Sequence, residues 1–143
     1  MEFRLIIDKD REEEVIVYAH KNTDKIEKIK AIVCEKAELL KGYLENDIVL
    51  LTFDEIYCFA IERGKLYALT KDKRLLLKER LYQIEERIDG DFIKINQSCV
   101  VKIDKIERFS ASFGGALKVK LKNGYTDYVS RRQIKAIKER MGI

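Results

Sequence analysis

Residues 123–141, NGYTDYVSRRQIKAIKERM, join three patterns that together indicate the fold. The opening Asn-Gly pair is typical of a two-residue hairpin turn, and the residues after it alternate in polarity as a β-strand does. Apolar residues at helical spacing then predict a helix over residues 131–141 with a lysine- and arginine-rich outer side. The strand therefore ends at Ser130, and Arg131 and Arg132 stand at its junction with a basic helix.

Upstream of this stretch the periodicity is that of strands. Strands are predicted over residues 48–52, 56–62, 65–70, 74–78, 92–103, 106–114 and 116–124, the last two forming a hairpin across Gly114 and Gly115. A polar interruption, Asn96-Gln97-Ser98, splits the 92–103 strand, and a short helix is predicted over residues 80–88. Many short strands with one helix in the middle and one at the end predict a mainly β architecture of antiparallel sheets, α+β overall.

The first part of the chain predicts a β-β-α unit. Residues 2–8 and 15–20, EFRLIID and VIVYAH, have strand-like composition and flank a charged turn. A helix is expected from about residue 24 to residue 41, where Gly42 stops it. Its apolar side would consist of residues at three- and four-residue steps, namely Ile26, Ile29, Val33, Ala37 and Leu40.

Charge divides the chain unevenly. Residues 1–46 carry 9 basic and 11 acidic side chains, a net charge of −2, whereas residues 47–143 carry 20 and 14, a net charge of +6. Within the second part, residues 92–143 carry 12 basic and 4 acidic side chains, a net charge of +8. Two domains are therefore expected, at 1–46 and 47–143, and the basic end suggests an anionic partner, most often nucleic acid. On charge alone, a solvated lysine-rich surface explains the basic end equally well.

Composition excludes several classes of protein. No apolar run approaches the roughly 18–20 residues of a membrane span, and the acidic start MEFRLIIDKD is unlike a signal peptide, so a cytoplasmic location is expected. Cys34, Cys58 and Cys99 are widely spaced and are expected to be buried free thiols, and a lone His20 leaves no credible metal site. No Ser/His/Asp set, paired carboxylates or phosphate-binding glycine loop indicates an enzyme or a cofactor.

Four motifs occur in order along the chain: F-x-K-x-N-Q-S-x-V-V, I-x-x-F, L-K-N-G and V-S-R-R-x-x-K-x-I-K. In this order they resemble the LytTR family of DNA-binding transcriptional regulators. The resemblance covers residues 47–143, where I-x-x-F-x-x-E-x-G-K-x-Y and a leucine-bearing helix also fit. Two departures, Asn96 where the family often has His and Lys102 where it often has Asn, bear on sequence preference rather than on the fold. Residues 1–46 are too short for a receiver domain and lack its acidic pair, so the chain resembles a receiver-less bacterial-type regulator.

The resemblance implies a β-rich domain of three small sheets that binds duplex DNA through loops, not through a helix in the groove. Three places would reach the DNA: the turn Arg63-Gly64-Lys65, the polar interruption with Lys94 and Asn96-Gln97-Ser98, and the junction Ser130-Arg131-Arg132. These loops would enter two successive major grooves, with backbone contacts across the minor groove between them.

Side-chain chemistry favours particular residues for contacts to base edges. A planar guanidinium can bond guanine O6 and N7 together, which makes Arg132 the first choice. An amide presents a donor and an acceptor side by side, as adenine N6 and N7 require, so Gln97 is the expected amide reader and Asn96 the weaker candidate.

The remaining contacts are expected to be with phosphates, which position the protein without choosing sequence. The cationic side chains of this group are Lys94, Arg131, Lys135 and Lys138. Ser98 and Ser130 can donate to phosphate oxygens, as can the first amides of the final helix. Lys65 extends from a tight glycine turn, so its charge can enter a groove.

These assignments have plainer alternatives. Arg131 or Arg132 could pair with Asp127 or Glu139 on the surface. Residues 96–98 could form a simple β-bulge with solvated side chains.

Solvation or packing could also account for the remaining candidates. Lys65 could be an ordinary solvated lysine. Tyr125 and Tyr128 are expected to pack in the sheet or at its rim instead of stacking on bases. A strand face that could equally be solvated is formed by Lys118, Lys120 and Lys122.

The expected partner is duplex DNA, which the protein would bind as a homodimer. Residues 1–46 are expected to be an association or regulatory element that does not touch DNA, but the apolar stripe of their helix could equally pack on the protein's own hairpin. A membrane protein that restrains the regulator is an expectation from the family resemblance alone. The competing class is a single-stranded nucleic-acid or RNA-binding β-rich module, which would need several aromatics exposed on one sheet face. The tyrosines of this chain do not cluster in that way.

Overall fold

The computed structural model describes residues 2–33, 38–111 and 113–143. The chain divides into two compact units, Met1–Ala37 and Glu38–Ile143. The first unit contains helix α1 (Asp24–Val33).

The second unit carries the strands and two further helices. The strands are β1 (Leu39–Leu44), β2 (Asp47–Thr52), β3 (Cys58–Glu62), β4 (Lys65–Leu69), β5 (Arg74–Leu77), β6 (Phe92–Asn96), β7 (Cys99–Lys102), β8 (Ile106–Ala111), β9 (Leu117–Leu121) and β10 (Thr126–Val129). The helices are α2 (Leu81–Arg87) and α3 (Arg131–Met141). The strands and helices predicted from residue 48 onward are therefore confirmed, as is the mainly β, α+β architecture. Each helix in the described ranges is too short or too polar to traverse a bilayer.

Seven strands form one antiparallel sheet in the order β2-β1-β5-β4-β3-β7-β6. Strand β1 joins β5 through one residue pair, Tyr43 with Leu76, whereas the central strands β3, β4, β5 and β7 share three to five pairs at each boundary. The resemblance implied three small sheets, but the described residues form two, because this one pair merges the β1–β2 hairpin with the central strands.

The second sheet has three strands in the order β10-β9-β8. Leu121 and Tyr125 close the hairpin between β9 and β10, since the Leu121 amide donates to the Tyr125 carbonyl at 2.8 Å, and the loop between these two residues consists of residues 122–124. Gly124 takes a φ of 91° in this loop, which favours glycine. The predicted two-residue turn is therefore wrong, because the Asn123 side chain stabilises the longer loop. Its Nδ2 donates to the Thr70 carbonyl at 3.0 Å, and its Oδ1 accepts from the Tyr125 backbone amide at 3.1 Å.

The apolar core lies on both faces of the seven-stranded sheet. Strand β3 shows the alternation, with Phe59 in one cluster and Cys58 and Ala60 in the other. The first cluster packs against α2 through Leu81 and Ile84. The second lies between the sheet, the three-stranded sheet and α3, whose buried residue is Ile137.

Two cysteines lie in the second cluster. Cys58 and Cys99 are buried and free, as predicted, while Cys34 lies outside the described residues. A hydrogen bond between the two thiols and burial together raise the pKa of Cys58 above its ordinary value. The neutral thiol is therefore the stable form in the core.

The predicted helix from 24 to 41 is wrong at its end. Helix α1 is described to Val33, residues 34–37 are outside the described part, and the next residues belong to β1. Leu40 is fully buried in the sheet core, where it cannot lie on a helical stripe. A Cβ on Gly42 would stand 2.8 Å from Leu75 Cβ, so this glycine allows β1 to approach β5 and does not stop a helix. The predicted boundary after residue 46 consequently falls in the turn between two paired strands.

Strands are also absent from the described residues of the first unit, contrary to the prediction for 2–8 and 15–20. A strand exists only when its backbone finds a ladder partner, and neither segment has one within the described chain. Their apolar side chains are exposed, with Phe3 at 87% and Tyr18 at 91%.

Candidate nucleic-acid interface

Two hairpin turns lie side by side at one end of the seven-stranded sheet. Strand β3 ends at the Arg63-Gly64 turn, and β7, its antiparallel neighbour, begins after the turn at Gln97 and Ser98. The Ile61 amide donates to the Ser98 carbonyl at 2.8 Å. Two of the three predicted contact regions are therefore adjacent.

The junction between β10 and α3 is attached to the same end of the sheet. The Ser130 amide donates to the Ile95 carbonyl at 2.8 Å. The Asn96 side chain donates through Nδ2 to the Tyr128 carbonyl, also at 2.8 Å. The third predicted region thus lies against β6, beside the β6–β7 turn.

A groove of about 390 Å³ lies where the turn meets the junction. It is lined by Lys94, Gln97, Ser130, Arg131, Arg132 and Gln133. Five of these side chains were predicted as contact residues. Lys65 and Lys135 are exposed but are not part of the lining.

Asn96 uses both ends of its amide inside the protein. Its Oδ1 accepts from the Ser98 amide at 2.8 Å, while Nδ2 binds the Tyr128 carbonyl. A register shift in the β6–β7 ladder occurs between Lys94 and Asn96, so the irregularity lies at Ile95 and not at residues 96–98. Gln97 and Ser98 form the turn itself and are exposed, and Asn96 is half-buried.

Lys94 lines the groove but already has a partner. Its Nζ lies 3.1 Å from Glu85 Oε1 on α2. Both side chains are partly exposed, at 38% and 31%. The pair is therefore screened by solvent and can exchange for another anion.

Arg131 and Arg132 are exposed, and within the described residues neither forms an ion pair. The suggested partner Asp127 is engaged elsewhere, accepting from Tyr125 Oη at 3.1 Å and from the Tyr128 amide at 2.7 Å. The alternative of a surface pair with Asp127 is therefore wrong in this structure.

The two tyrosines near the junction differ in environment. Tyr125 is partly buried against the second core cluster, as expected from packing. Burial, with the thiols and Asp127 nearby, raises the pKa of Tyr125 above its ordinary value. Tyr128 is 53% exposed, which places it at the rim of the sheet.

The first turn of α3 faces the groove through Ser130 and Arg131. Ser130 is the N-cap residue, yet its side chain makes no cap hydrogen bond. Its hydroxyl and the positive end of the helix dipole are consequently available to an anion.

Two residues of the site were missed by sequence reasoning. Gln133 lines the groove, and its place on the first turn of a predicted helix was a usable signal. Glu85 belongs to another element, and its pairing with Lys94 had no local signal because it depends on how α2 packs beside β6.

Comparisons with known proteins agree with this architecture. The family model for the LytTr DNA-binding domain matches residues 46–142. Three Staphylococcus aureus proteins, from strains MSSA476, MW2 and NCTC 8325, are each 30% identical over 146 residues, covering 100% of this chain and 99% of the relative. They bear the name uncharacterized HTH-type transcriptional regulator.

A solved LytTr DNA-binding domain from Bacillus cereus has the same fold, with a TM-score of 0.68 at 16% identity. The superposition covers 73% of this chain and 97% of that one. In this chain, α2 and α3 are separated by five strands, so these two helices do not form a helix-turn-helix. From the family match over residues 46–142 and the shared fold, the chain belongs to the LytTR family of DNA-binding domains.

Proposed function

We propose that this protein is a sequence-specific transcriptional regulator that grips duplex DNA with two turns and a strand–helix junction. The observation that carries the proposal is that two candidate base-contacting residues, distant in sequence, meet in one groove. Gln97 and Arg132 are 35 positions apart in the numbering, yet both line one groove. Such a groove can present an amide and a guanidinium to neighbouring base edges.

In this proposal Arg132 and Gln97 contact bases. Both side chains are exposed, and within the described residues Arg132 has no carboxylate partner. Because Arg132 breaks no internal ion pair when it contacts guanine, its two hydrogen bonds to the base add to the binding affinity.

Phosphates are the proposed partners of the surrounding donors. Ser98, Ser130, Arg131 and Lys135 offer hydroxyl or cationic groups at or near the groove. The uncapped first turn of α3 adds its dipole. Lys94 joins this set after exchanging Glu85 for a phosphate, and Lys65 contributes from the neighbouring turn.

Asn96 has a different proposed role. Because its amide already binds Tyr128 and Ser98, it positions the turn that carries Gln97. A base contact would require breaking at least one of these hydrogen bonds, each worth about 0.5–1.5 kcal/mol.

The protein acts in this proposal by binding and not by catalysis, in the cytoplasm, as a homodimer on DNA. The first unit is assigned an association role because its exposed apolar residues, such as Phe3 and Tyr18, would be buried by contact with a partner subunit. Control by a membrane protein would act through that unit.

Selection from a randomised duplex library by the full-length protein tests the proposal. The wild type is expected to enrich one motif, and Arg132→Ala to lose about 1–3 kcal/mol of discrimination at one base pair. Lys135→Ala, a matched cation on the same helix, should weaken all sequences about equally. Absence of an enriched motif with the wild type overturns the proposal.

A further inference from the structure

The outer face of the three-stranded sheet carries an unusual set of side chains. Opposite residues in a ladder point to the same side, and two rows follow from the register. One row is Tyr128, Lys118 and Ser110, and the next is Thr126, Lys120 and Arg108. The apolar residues of β9, including Val119, point the other way into the core.

All six side chains on this face are hydrogen-bond donors, and none is a carboxylate. Arginine, lysine, serine, threonine and tyrosine are the residue types that contact phosphate oxygens in protein–DNA complexes. The acid at ion-pair distance from this face, within the described residues, is Glu107, whose carboxylate lies 3.5 Å from Lys120 Nζ. Three cations against this one acid leave the face with a net charge of +2.

Three cations of the seven-stranded sheet, Arg74, Lys94 and Lys102, each have a carboxylate partner. Within the described ranges, Arg108 and Lys118 have none at ion-pair distance. The positive charge of this face is therefore not neutralised by the protein itself.

The face also continues from the groove. Tyr128 stands two positions before Ser130, its carbonyl accepts the Asn96 amide, and its side chain is 53% exposed beside Lys118. Successive rows on a strand are separated by about 7 Å. A duplex seated in the groove would thus have its backbone beside donors that extend along the sheet.

We infer that this outer face is a second DNA-contacting surface, which binds the phosphate backbone next to the groove without reading sequence. The inference rests on the proposed function. Charge complementarity selects the occupant, because phosphate is the anion present all along a duplex. Tyr128 contributes its hydroxyl as a donor to phosphate, and this contact also accounts for the exposure of its side chain.

The test compares two matched double variants on a fluorescent mixed-sequence duplex over a range of salt concentrations. Arg108→Gln with Lys118→Gln removes two unpaired cations from the face. Lys71→Gln with Lys73→Gln removes two exposed lysines from the β4–β5 turn, at the opposite end of the seven-stranded sheet. Thermal unfolding of each variant checks that the fold is intact.

The face variant is expected to bind about tenfold or more weakly. Its plot of log affinity against log salt concentration should be less steep by about 1.8, because two fewer phosphates release their counterions on binding. The control variant should keep the wild-type slope. Equal slopes in the two variants overturn the inference. If the wild type shows no sequence preference, the proposed function fails, whereas wild-type preference with equal variant slopes removes this surface alone.

Discussion

Asn96 and Gln97 are neighbouring amides with opposite surroundings. Asn96 is half-buried and bonded at both ends of its amide, whereas Gln97 is exposed at the groove. Residue type alone made both of them candidates for adenine. The difference arises because a turn can point one of two adjacent side chains inward and the other outward.

Asn96→Ala is expected to lower the free energy of unfolding by about 1–3 kcal/mol, the loss of two hydrogen bonds. It should also weaken binding to all duplexes, because the turn carrying Gln97 is no longer held against β10. Chemical denaturation and binding titrations measure the two effects. Gln97→Ala is the control, with unchanged stability and altered base preference. A stable Asn96→Ala variant with altered preference would instead identify Asn96 as a base reader.

Glu85 restrains a cation of the groove. Replacing it by Gln removes the carboxylate 3.1 Å from Lys94 Nζ and leaves the lysine free for phosphate. Glu85→Gln is expected to raise affinity for mixed-sequence duplex severalfold and to steepen the salt slope by about 0.9, one additional phosphate. Glu86→Gln, the exposed neighbour on α2, is the matched control. An identical slope in both variants would contradict this role for Glu85.

At the scale of elements, strand β1 depends on one close approach. Gly42 faces Leu75, and a Cβ would lie 2.8 Å from Leu75 Cβ and 3.2 Å from Leu51 Cδ1. These neighbours are buried, so they cannot move aside freely.

Gly42→Ala is therefore expected to destabilise the protein by about 1–3 kcal/mol, the usual cost of overpacking. Gly90→Ala is the matched control, since a Cβ there meets only the Arg140 guanidinium at 3.3 Å, the end of a flexible side chain. Urea unfolding of the two variants measures the difference. Equal stability in both would mean that β1 shifts to accommodate the methyl group.

The whole molecule divides at a different place from the sequence-based boundary. The second unit starts at Glu38 and includes β1. A protein cut at residue 47 therefore lacks the strand that carries Leu40, which is fully buried. Loss of a single buried leucine side chain already costs about 2–5 kcal/mol.

A protein of residues 38–143 is expected to fold cooperatively, whereas one of residues 47–143 should be markedly less stable. Thermal unfolding compares the two directly. If both unfold at the same temperature, β1 contributes nothing to the second unit. On a duplex with two sites, the 38–143 protein should also bind with less cooperativity than the full chain, because linked modules gain effective concentration.

Short-range patterns in the sequence were sufficient for most of the second unit. Alternation around residues 116–124 and apolar spacing in 131–141 each involve neighbouring residues, and the structure has β9 and α3 there. The same holds for the split strand at Asn96-Gln97-Ser98. Motif order then indicated the LytTR family, which the match over residues 46–142 confirmed.

Tertiary structure decided what depends on distant residues. The spacing of apolar residues placed Leu40 on a predicted helix, but in the structure it lies in strand β1. Pairing with β2 and packing on Leu75 outweigh the local helical pattern. Strand-like segments 2–8 and 15–20 found no ladder partner in the described chain. The bond from Asn96 to Tyr128 spans 32 positions. Sequence by itself therefore determined the local elements and the family, while long-range hydrogen bonds and close packing decided which side chains are free to contact a partner.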